Sequence, residues 1–334
     1  MIPLGRTFVG PLFDAAIIGG GLSIVAIPIL MLYAETVDAL TLSVVLLAAN
    51  SAHFAASTVR LYTKPGAVAD WPFVAAGLPL ATLAVLSLCM VLGDWLGSHL
   101  YSLAMTWSPF HYAAQAYGLS MLYCRRSGYP VSGVGQNWLY AACMIPFLHA
   151  FVGSSGAGVE WFVPTAVLDD PLVAPLRAAV VLGLAFATFV GPVLLFWRLQ
   201  RDAGAPPPGI VALLIGSNGL WWAVFPYAGA FAWATVFHGL QYLAIVLVFH
   251  VKEQVAAPGN SRSPLVLSLR FYAISLALAY ALFHALPEAY TAVGFAHSES
   301  ILLVVAMINI HHFIVDRYIW RVKRDPGNAA VAES

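Results

Sequence analysis

The chain has 334 residues, of which 61% are hydrophobic and 9% are charged, and its formal net charge is zero. A soluble domain carries about 25% charged residues, so this composition predicts a polytopic membrane protein. The zero net charge removes the bulk electrostatic case for nucleic-acid binding. Cys89, Cys124 and Cys143 show neither metal-type spacing nor a disulfide framework.

Apolar windows of about 20 residues predict about ten transmembrane helices, numbered here as predicted spans in chain order. They lie near residues 12–33, 39–61, 72–93, 100–123, 136–154, 173–199, 208–226, 229–251, 264–286 and 293–320. The first is interpreted as a retained helix, because its flanks lack the charged region and cleavage site of a signal peptide. We therefore expect an all-α, polytopic membrane helix bundle. Residues 1–324 would form a single transmembrane domain, and residues 325–334 a short disordered cytoplasmic tail.

Basic residues predict the orientation of the spans. Lysine or arginine follows each even-numbered span, at Arg60, Arg125, Arg198 and Lys252 and in the cluster from Arg317 to Arg324. Most acidic residues lie in or beside the loops that follow odd-numbered spans. Because cytoplasmic loops carry the excess of basic residues, both termini are expected in the cytoplasm. The chain would be a multi-pass protein of a bacterial-type inner (cytoplasmic) membrane.

Four even-numbered spans carry a histidine together with an amide or carboxylate three or four residues away. Residues at these spacings share one helix face. The sets are Asn50 and His53; His111 and Gln115; His238 and Gln241; and Asn309, His312 and Asp316, with His311 beside them. Ionisable groups are expensive inside a bilayer, so they usually face a bundle interior and mark a site.

These residue types predict a metal site. Imidazole suits iron, zinc and copper, and a neighbouring carboxylate suits iron or zinc. The candidate ligands, for iron above all, are His53, His111, His238, His311, His312 and Asp316. The amides Asn50, Gln115, Gln241 and Asn309 would orient these ligands or bind substrate. The alternative is that the same polar groups form ordinary interhelical hydrogen bonds, which transmembrane bundles use routinely.

The last span, His311-His-Phe-Ile-Val-Asp316-Arg-Tyr-Ile-Trp-Arg321, resembles the final His-x-x-x-x-Asp segment of the Brp/Blh-type bacterial β-carotene dioxygenases. Ala52-His53-Phe54 resembles an internal Ile-His-Phe segment of that family, and Phe237-His238 with His250 resembles its paired-histidine helix. The chain lacks the family's Pro-His-Gly-Ala-Leu-Asp motif, and Ser57 stands where the second segment carries an acid. The resemblance covers about 30 of the 334 residues. It implies an integral-membrane, iron-dependent oxygenase that acts on a lipid-soluble polyene.

A site at membrane depth is reached more easily from lipid than from water, so its substrate would be a carotenoid, an acyl chain or a quinone. Histidine ligation with a carboxylate suits a non-haem iron oxygenase or oxidoreductase, since it leaves positions open for O₂. The expected partners are the bilayer, that substrate, and partner subunits or a second copy of the chain. A subunit that binds haem b or a pigment within an electron-transfer or photosynthetic complex is the alternative. A transporter has the least support, because Asp316 is nearly alone as an intramembrane acid.

Overall fold

A computed structural model describes residues 3–33, 37–227, 229–320 and 326–333. Within these ranges the regular structure is helical, with no strand, which confirms the all-α class predicted from composition. The basic residues Arg321, Lys323 and Arg324 of the predicted C-terminal cluster lie outside the described residues.

The longer helices are numbered in chain order. The first six are α1 Pro11–Ile18, α2 Gly21–Leu32, α3 Ala39–Thr63, α4 Phe73–Val91, α5 Ser98–Arg126 and α6 Gly133–Gly153. The others are α7 Val173–Ala203, α8 Gly209–Ala223, α9 Phe231–Ala256, α10 Pro264–Ala292, α11 His297–Ile319 and α12 Pro326–Glu333. Single-turn helices at Ala67–Asp70, Val159–Phe162 and Thr165–Leu168 lie in the connections.

Six of the described helices, α3, α4, α7, α9, α10 and α11, are long and apolar enough to cross a membrane. The pair α1 and α2 adds a seventh if its two bent halves form one span. The chain thus has the helices of a multi-pass membrane protein in contact with lipid, but this criterion gives fewer than ten spans. Helix α8 is short, at 15 residues. Helices α5 and α6 interleave Gln, Asn, Ser and His with their apolar residues, which lowers their hydropathy.

The first predicted span is two helices that meet at an angle of 55°. Gly20, between them, has a φ of +75°, a left-handed conformation that glycine adopts without steric cost. A Cβ atom at this position would lie 2.6 Å from Ser217 Oγ. The bend therefore requires glycine for both its backbone angle and its close packing.

The chain divides into two compact units, a boundary that the sequence alone did not indicate. Unit 1 contains the described residues within 3–33 and 105–237, and unit 2 those within 37–104 and 238–332. Helices α5 and α9 have residues in both units.

Unit 1 has a core formed by α5, α6, α7 and α8. Its members are Ala116, Cys124, Leu139, Ala142, Cys143, Leu195, Leu199, Val211 and Ile215. The buried carboxylate of Asp14 accepts hydrogen bonds from the backbone N–H groups of Phe8, Val9 and Gly10 at 2.6–3.1 Å, and from the Tyr123 hydroxyl at 2.7 Å. Asp14 therefore joins the N-terminal segment to α5.

Unit 2 has two apolar clusters that flank α3. One packs α3 against α9 and α10, through residues that include Ala52, Ala56, Tyr242 and Phe271. The other packs α3 against α4 and α11, through Leu61, Leu78, Val315 and Ile319 among others. Helix α3 is thus the centre of the unit, and its side chains meet those of α9 and α11.

The stretch expected to be a disordered tail is described from Pro326 onward as helix α12. Asn328, in this helix, is fully buried. Its amide donates to the carbonyl of Ile319 at 2.8 Å, and its Oδ1 accepts from Arg60 at 2.8 Å and from Lys64 at 3.1 Å. This short helix thereby contacts α3 and the end of α11.

Candidate metal centre

Local features of α3 and α9 allow their histidines to approach closely. Helix α3 contains a π-helical turn, Leu47–Ser51, that ends two residues before His53, and such turns are frequent at functional sites. Gly239, next to His238 on α9, lies against this turn. A Cβ atom on Gly239 would meet the Ala49 carbonyl oxygen at 2.7 Å and the Asn50 Cα at 3.0 Å. Glycine at position 239 is therefore what permits this backbone contact beside the two histidines.

Three histidines from three helices meet in the interior of unit 2. The ring of His53 on α3 lies 5.2 Å from the ring of His238 on α9 and 5.0 Å from the ring of His312 on α11, between centroids. Both pairs are edge-to-face. All three side chains are fully buried. The helices α3, α9 and α11 are each long and apolar enough to cross a membrane.

A carboxylate and a tyrosine complete the cluster. Asp316 Oδ2 lies 3.4 Å from His312 Nε2, one helical turn away. Asp316 Oδ1 accepts a 2.5 Å hydrogen bond from the hydroxyl of Tyr242 on α9. That hydroxyl in turn accepts from Trp320 Nε1 at 3.3 Å. The carboxylate is therefore held by a tyrosine of α9, which is itself held by Trp320 at the end of α11.

The hydrogen bonds around His312 determine which ring nitrogen is available. The Ser57 hydroxyl donates to the carbonyl of Phe54 at 2.9 Å, and His312 Nδ1 lies 2.9 Å from Ser57 Oγ. In the tautomer in which Nδ1–H donates to Ser57, Nε2 carries the lone pair. That lone pair faces a carboxylate oxygen whose partner oxygen already accepts from Tyr242. In this tautomer a cation between the two atoms would satisfy both acceptors, whereas in the other tautomer Nε2–H donates to the carboxylate.

The separation of His312 Nε2 and Asp316 Oδ2 agrees with shared coordination of one ion. Two ligand atoms at about 2.0–2.1 Å from a tetrahedral metal lie about 3.3 Å apart, close to the separation of Nε2 and Oδ2. Two imidazoles on such a metal have ring centroids about 5 Å apart, as His53 has from each of its neighbours. A metal-bound histidine usually donates its other N–H to a nearby acceptor, and Ser57 Oγ lies 2.9 Å from His312 Nδ1. His312 and Asp316 therefore have the separation of two ligands of one metal ion, and the rings of His53 and His238 lie beside them.

A charged layer lies along α3 beyond the cluster. The guanidinium of Arg60 is fully buried and contacts Glu253 at 2.9 Å, and Lys64 contacts the same carboxylate at 3.2 Å. Arg60 also lies over the rings of Phe249, at 5.7 Å, and Trp320, at 5.2 Å. These contacts hold the cations against one carboxylate and two aromatic rings.

The other predicted residues lie on several helices. His111 and Gln115 belong to unit 1, where His111 is buried and its neighbour Tyr112 packs on Trp222. Within unit 2, no described ring contact or hydrogen bond joins His311 to the other histidines. Asn309 donates to the Val305 carbonyl of its own helix at 2.7 Å. Asn50 is half-buried in the π-helical turn, and Gln241 is buried on α9.

Two residues of the cluster, Tyr242 and Ser57, did not follow from the histidine pattern. Each lies four residues after a histidine, Tyr242 after His238 and Ser57 after His53, so each shares that histidine's helix face. A search of these faces for hydroxyl groups as well as amides and acids would have found both.

Because comparisons with known proteins find no match, the function is inferred from the cluster itself. No protein-family model, curated protein or solved structure matches the chain.

Proposed function

We propose that the protein is a membrane-embedded metalloprotein, and that unit 2 holds a non-haem iron ion with His53, His238, His312 and Asp316. The observation that carries this proposal is the facing pair of His312 Nε2 and Asp316 Oδ2 at 3.4 Å beside two further buried histidines. Apolar side chains of similar size would fill the same space without the cost of burying a carboxylate in a membrane. The roles of His111 and His311 as metal ligands remain predictions from the sequence.

The geometry favours a non-haem ion over haem for this cluster. In a bis-histidine haem the two imidazoles lie on opposite faces of a macrocycle. Here the ring of His53 packs edge-to-face directly against both of its neighbours, so a macrocycle does not fit between them. Bound iron would supply Lewis acidity and a site for O₂.

We infer an oxygenase or oxidoreductase that acts on a lipid-soluble substrate, with a carotenoid, an acyl chain or a quinone as the candidate classes. The cluster lies within helices that qualify as membrane spans, so substrate and O₂ would both arrive from the hydrocarbon. The hydroxyl of Tyr242 donates to Asp316 Oδ1, and this hydrogen bond fixes the direction in which the carboxylate faces. The resemblance to the β-carotene dioxygenases favours a polyene within this class.

We further propose ten membrane crossings, with both termini cytoplasmic and a bacterial-type inner membrane as the location. Helices α5, α6 and α8, with α1 and α2 as one bent span, would bring the six apolar helices to ten. Reporter fusions after Arg126 and after Arg201 should both report a cytoplasmic position. Opposite signals from these two fusions would contradict the proposed topology.

The test of the function is elemental analysis of the protein purified in detergent, together with its visible spectrum. We expect about one iron per chain without a Soret band. Oxygen uptake with a carotenoid, an acyl lipid and a quinone, each tested separately, would then identify the substrate class. Protein that contains no transition metal after purification without chelators, and that takes up none when iron is supplied, would contradict the proposal.

A further inference from the structure

Unit 2 contains a second polar site, separate from the histidine cluster. A cavity of about 200 Å³ opens between α3, α9 and the start of α10. It is lined by Val59, Thr63, His250, Gln254, Arg262, Leu267, Arg270, Phe271 and Ile274. No acidic residue is among these described lining residues. The cavity is smaller than the roughly 300 Å³ of a typical small-molecule pocket, so it suits a head group rather than a whole ligand.

The charge of this cavity is positive and is not neutralised by described residues. Neither Arg262 nor Arg270 has a described carboxylate within ion-pair distance. The nearby carboxylate of Glu253 already contacts Arg60 and Lys64. A guanidinium presents planar donors that match phosphate oxygens, and two of them at one cavity favour an anion with several oxygens.

His250 is an independent indication of a ligand. This side chain is 93% buried, since only 7% of it is exposed, and it lines the cavity. Its ring packs on Phe271 at 4.4 Å, and no described hydrogen bond uses its nitrogens. A ligand oxygen in the cavity would supply that partner.

The surroundings of Arg270 indicate a lipid. Arg270 lies six residues after the start of α10, which places it about 9 Å along the helix. Its neighbours Leu265, Val266, Leu269 and Ile274 are exposed apolar side chains of a membrane-spanning helix. A cation on such a surface lies at the level where phospholipid phosphates meet hydrocarbon, and basic pockets between membrane helices bind anionic head groups.

We propose that this cavity binds the phosphate of an anionic phospholipid through Arg262, Arg270 and His250. The acyl chains of this lipid would lie along the apolar face of α10 beside Leu269 and Ile274. The site does not depend on the proposed metal centre, because the two share no residue.

The experiment compares wild type with Arg262→Gln/Arg270→Gln and with Arg125→Gln/Arg201→Gln, which removes two exposed arginines of unit 1. Detergent-purified protein is titrated with phosphatidylglycerol, phosphatidylcholine and inorganic phosphate, and binding is followed by native mass spectrometry and by thermal shift. Each lost charge-assisted contact weakens binding by about 10-fold, so phosphatidylglycerol should bind the Arg262/Arg270 variant at least 10-fold more weakly. The control should stay within 2-fold of wild type.

Equal binding of phosphatidylglycerol to wild type and the Arg262/Arg270 variant would overturn the site. Stabilisation by inorganic phosphate equal to that by phosphatidylglycerol would overturn the lipid as its source. Equal binding of phosphatidylcholine would overturn the requirement for an anionic head group. If the double variant does not fold, Arg262→Gln alone, in the loop before α10, provides the same comparison with a single control, Arg125→Gln.

Discussion

Units 1 and 2 both bury polar groups in apolar helices, but they satisfy them in different ways. In unit 1, Asp14 accepts from three backbone N–H groups, and Asn218 donates to the carbonyl of Cys143 at 3.1 Å. In unit 2, His312 and Asp316 face each other and contact side chains of two other helices. Backbone partners fix the path of the chain, whereas side-chain partners that converge from several helices form a binding site. The predictions below test this difference.

The largest effect in this series is expected at Asp316. Asp316→Asn removes the negative oxygen that faces His312 Nε2, and carboxylates at or beside a metal account for about 10–100-fold in affinity. We therefore expect metal affinity to fall at least 10-fold. The matched control is Arg317→Gln, which changes the neighbouring exposed charge and should keep wild-type metal content. Wild-type metal content in both variants would show that Asp316 is not part of the metal site.

Asp14→Asn should destabilise unit 1 while the metal stays bound. The carboxylate of Asp14 accepts hydrogen bonds from backbone N–H groups, and the amide nitrogen of asparagine cannot accept them. Hydrogen bonds to charged groups contribute about 1.5–3 kcal/mol each. We expect a lower melting temperature in detergent and an unchanged amount of metal per folded chain. Loss of metal without loss of stability would contradict the structural role of Asp14.

Gly239→Ala tests the close contact between α9 and α3. The new Cβ would meet the Ala49 carbonyl oxygen at 2.7 Å, so the helices would have to move apart beside His53 and His238. Overpacking of this kind costs about 1–3 kcal/mol, and we expect both stability and metal affinity to fall. Gly183→Ala on α7, where a Cβ meets nothing within 4 Å, is the control and should be neutral or slightly stabilising.

The smallest effect is expected at Glu160 in unit 1. The N–H of Gly156 and the guanidinium of Arg177 hold the pKa of this carboxyl below its ordinary value. Because the folded-state pKa is depressed, the ionised Glu160 carboxylate stabilises the folded protein above the unfolded-state pKa. This stabilisation is lost as pH falls through the folded-state pKa. Such a pair contributes about 0–1 kcal/mol. Glu160→Gln should therefore lower the melting temperature slightly at pH 7 and have a smaller effect at pH 3.

The sequence indicated the helical class, the membrane location and the faces of the site helices. Spacings of three and four residues placed His312 on the face of Asp316 and offset His311 from it, and the structure describes the same arrangement. His53 lies seven residues before Arg60 and His238 lies fourteen before Lys252, so counting from these basic ends predicts that His238 is about 10 Å deeper in the membrane. In the structure their rings lie 5.2 Å apart. Counting along a straight helix omits helix tilt, so it misjudges such levels.

Other features depend on contacts that spacing along one helix does not encode. The hydrogen bond between Tyr242 and Asp316 joins residues 74 positions apart. The 55° break between α1 and α2 depends on the contact of Gly20 with Ser217 as well as on its own backbone freedom. The division into two units also follows from long-range packing, since no linker composition marks it.

The central claim is that the histidine cluster of unit 2 binds a transition metal, and its most direct test is the metal content of His53→Ala/His312→Ala. Elemental analysis would compare this double variant with wild type and with His284→Ala/His297→Ala, two histidines outside the cluster, in the same detergent and at the same pH. Removal of two ligands removes two coordination bonds, so bound iron should fall to near background in the first variant and stay at the wild-type level in the control. Wild-type metal content in the folded His53→Ala/His312→Ala protein would contradict the account.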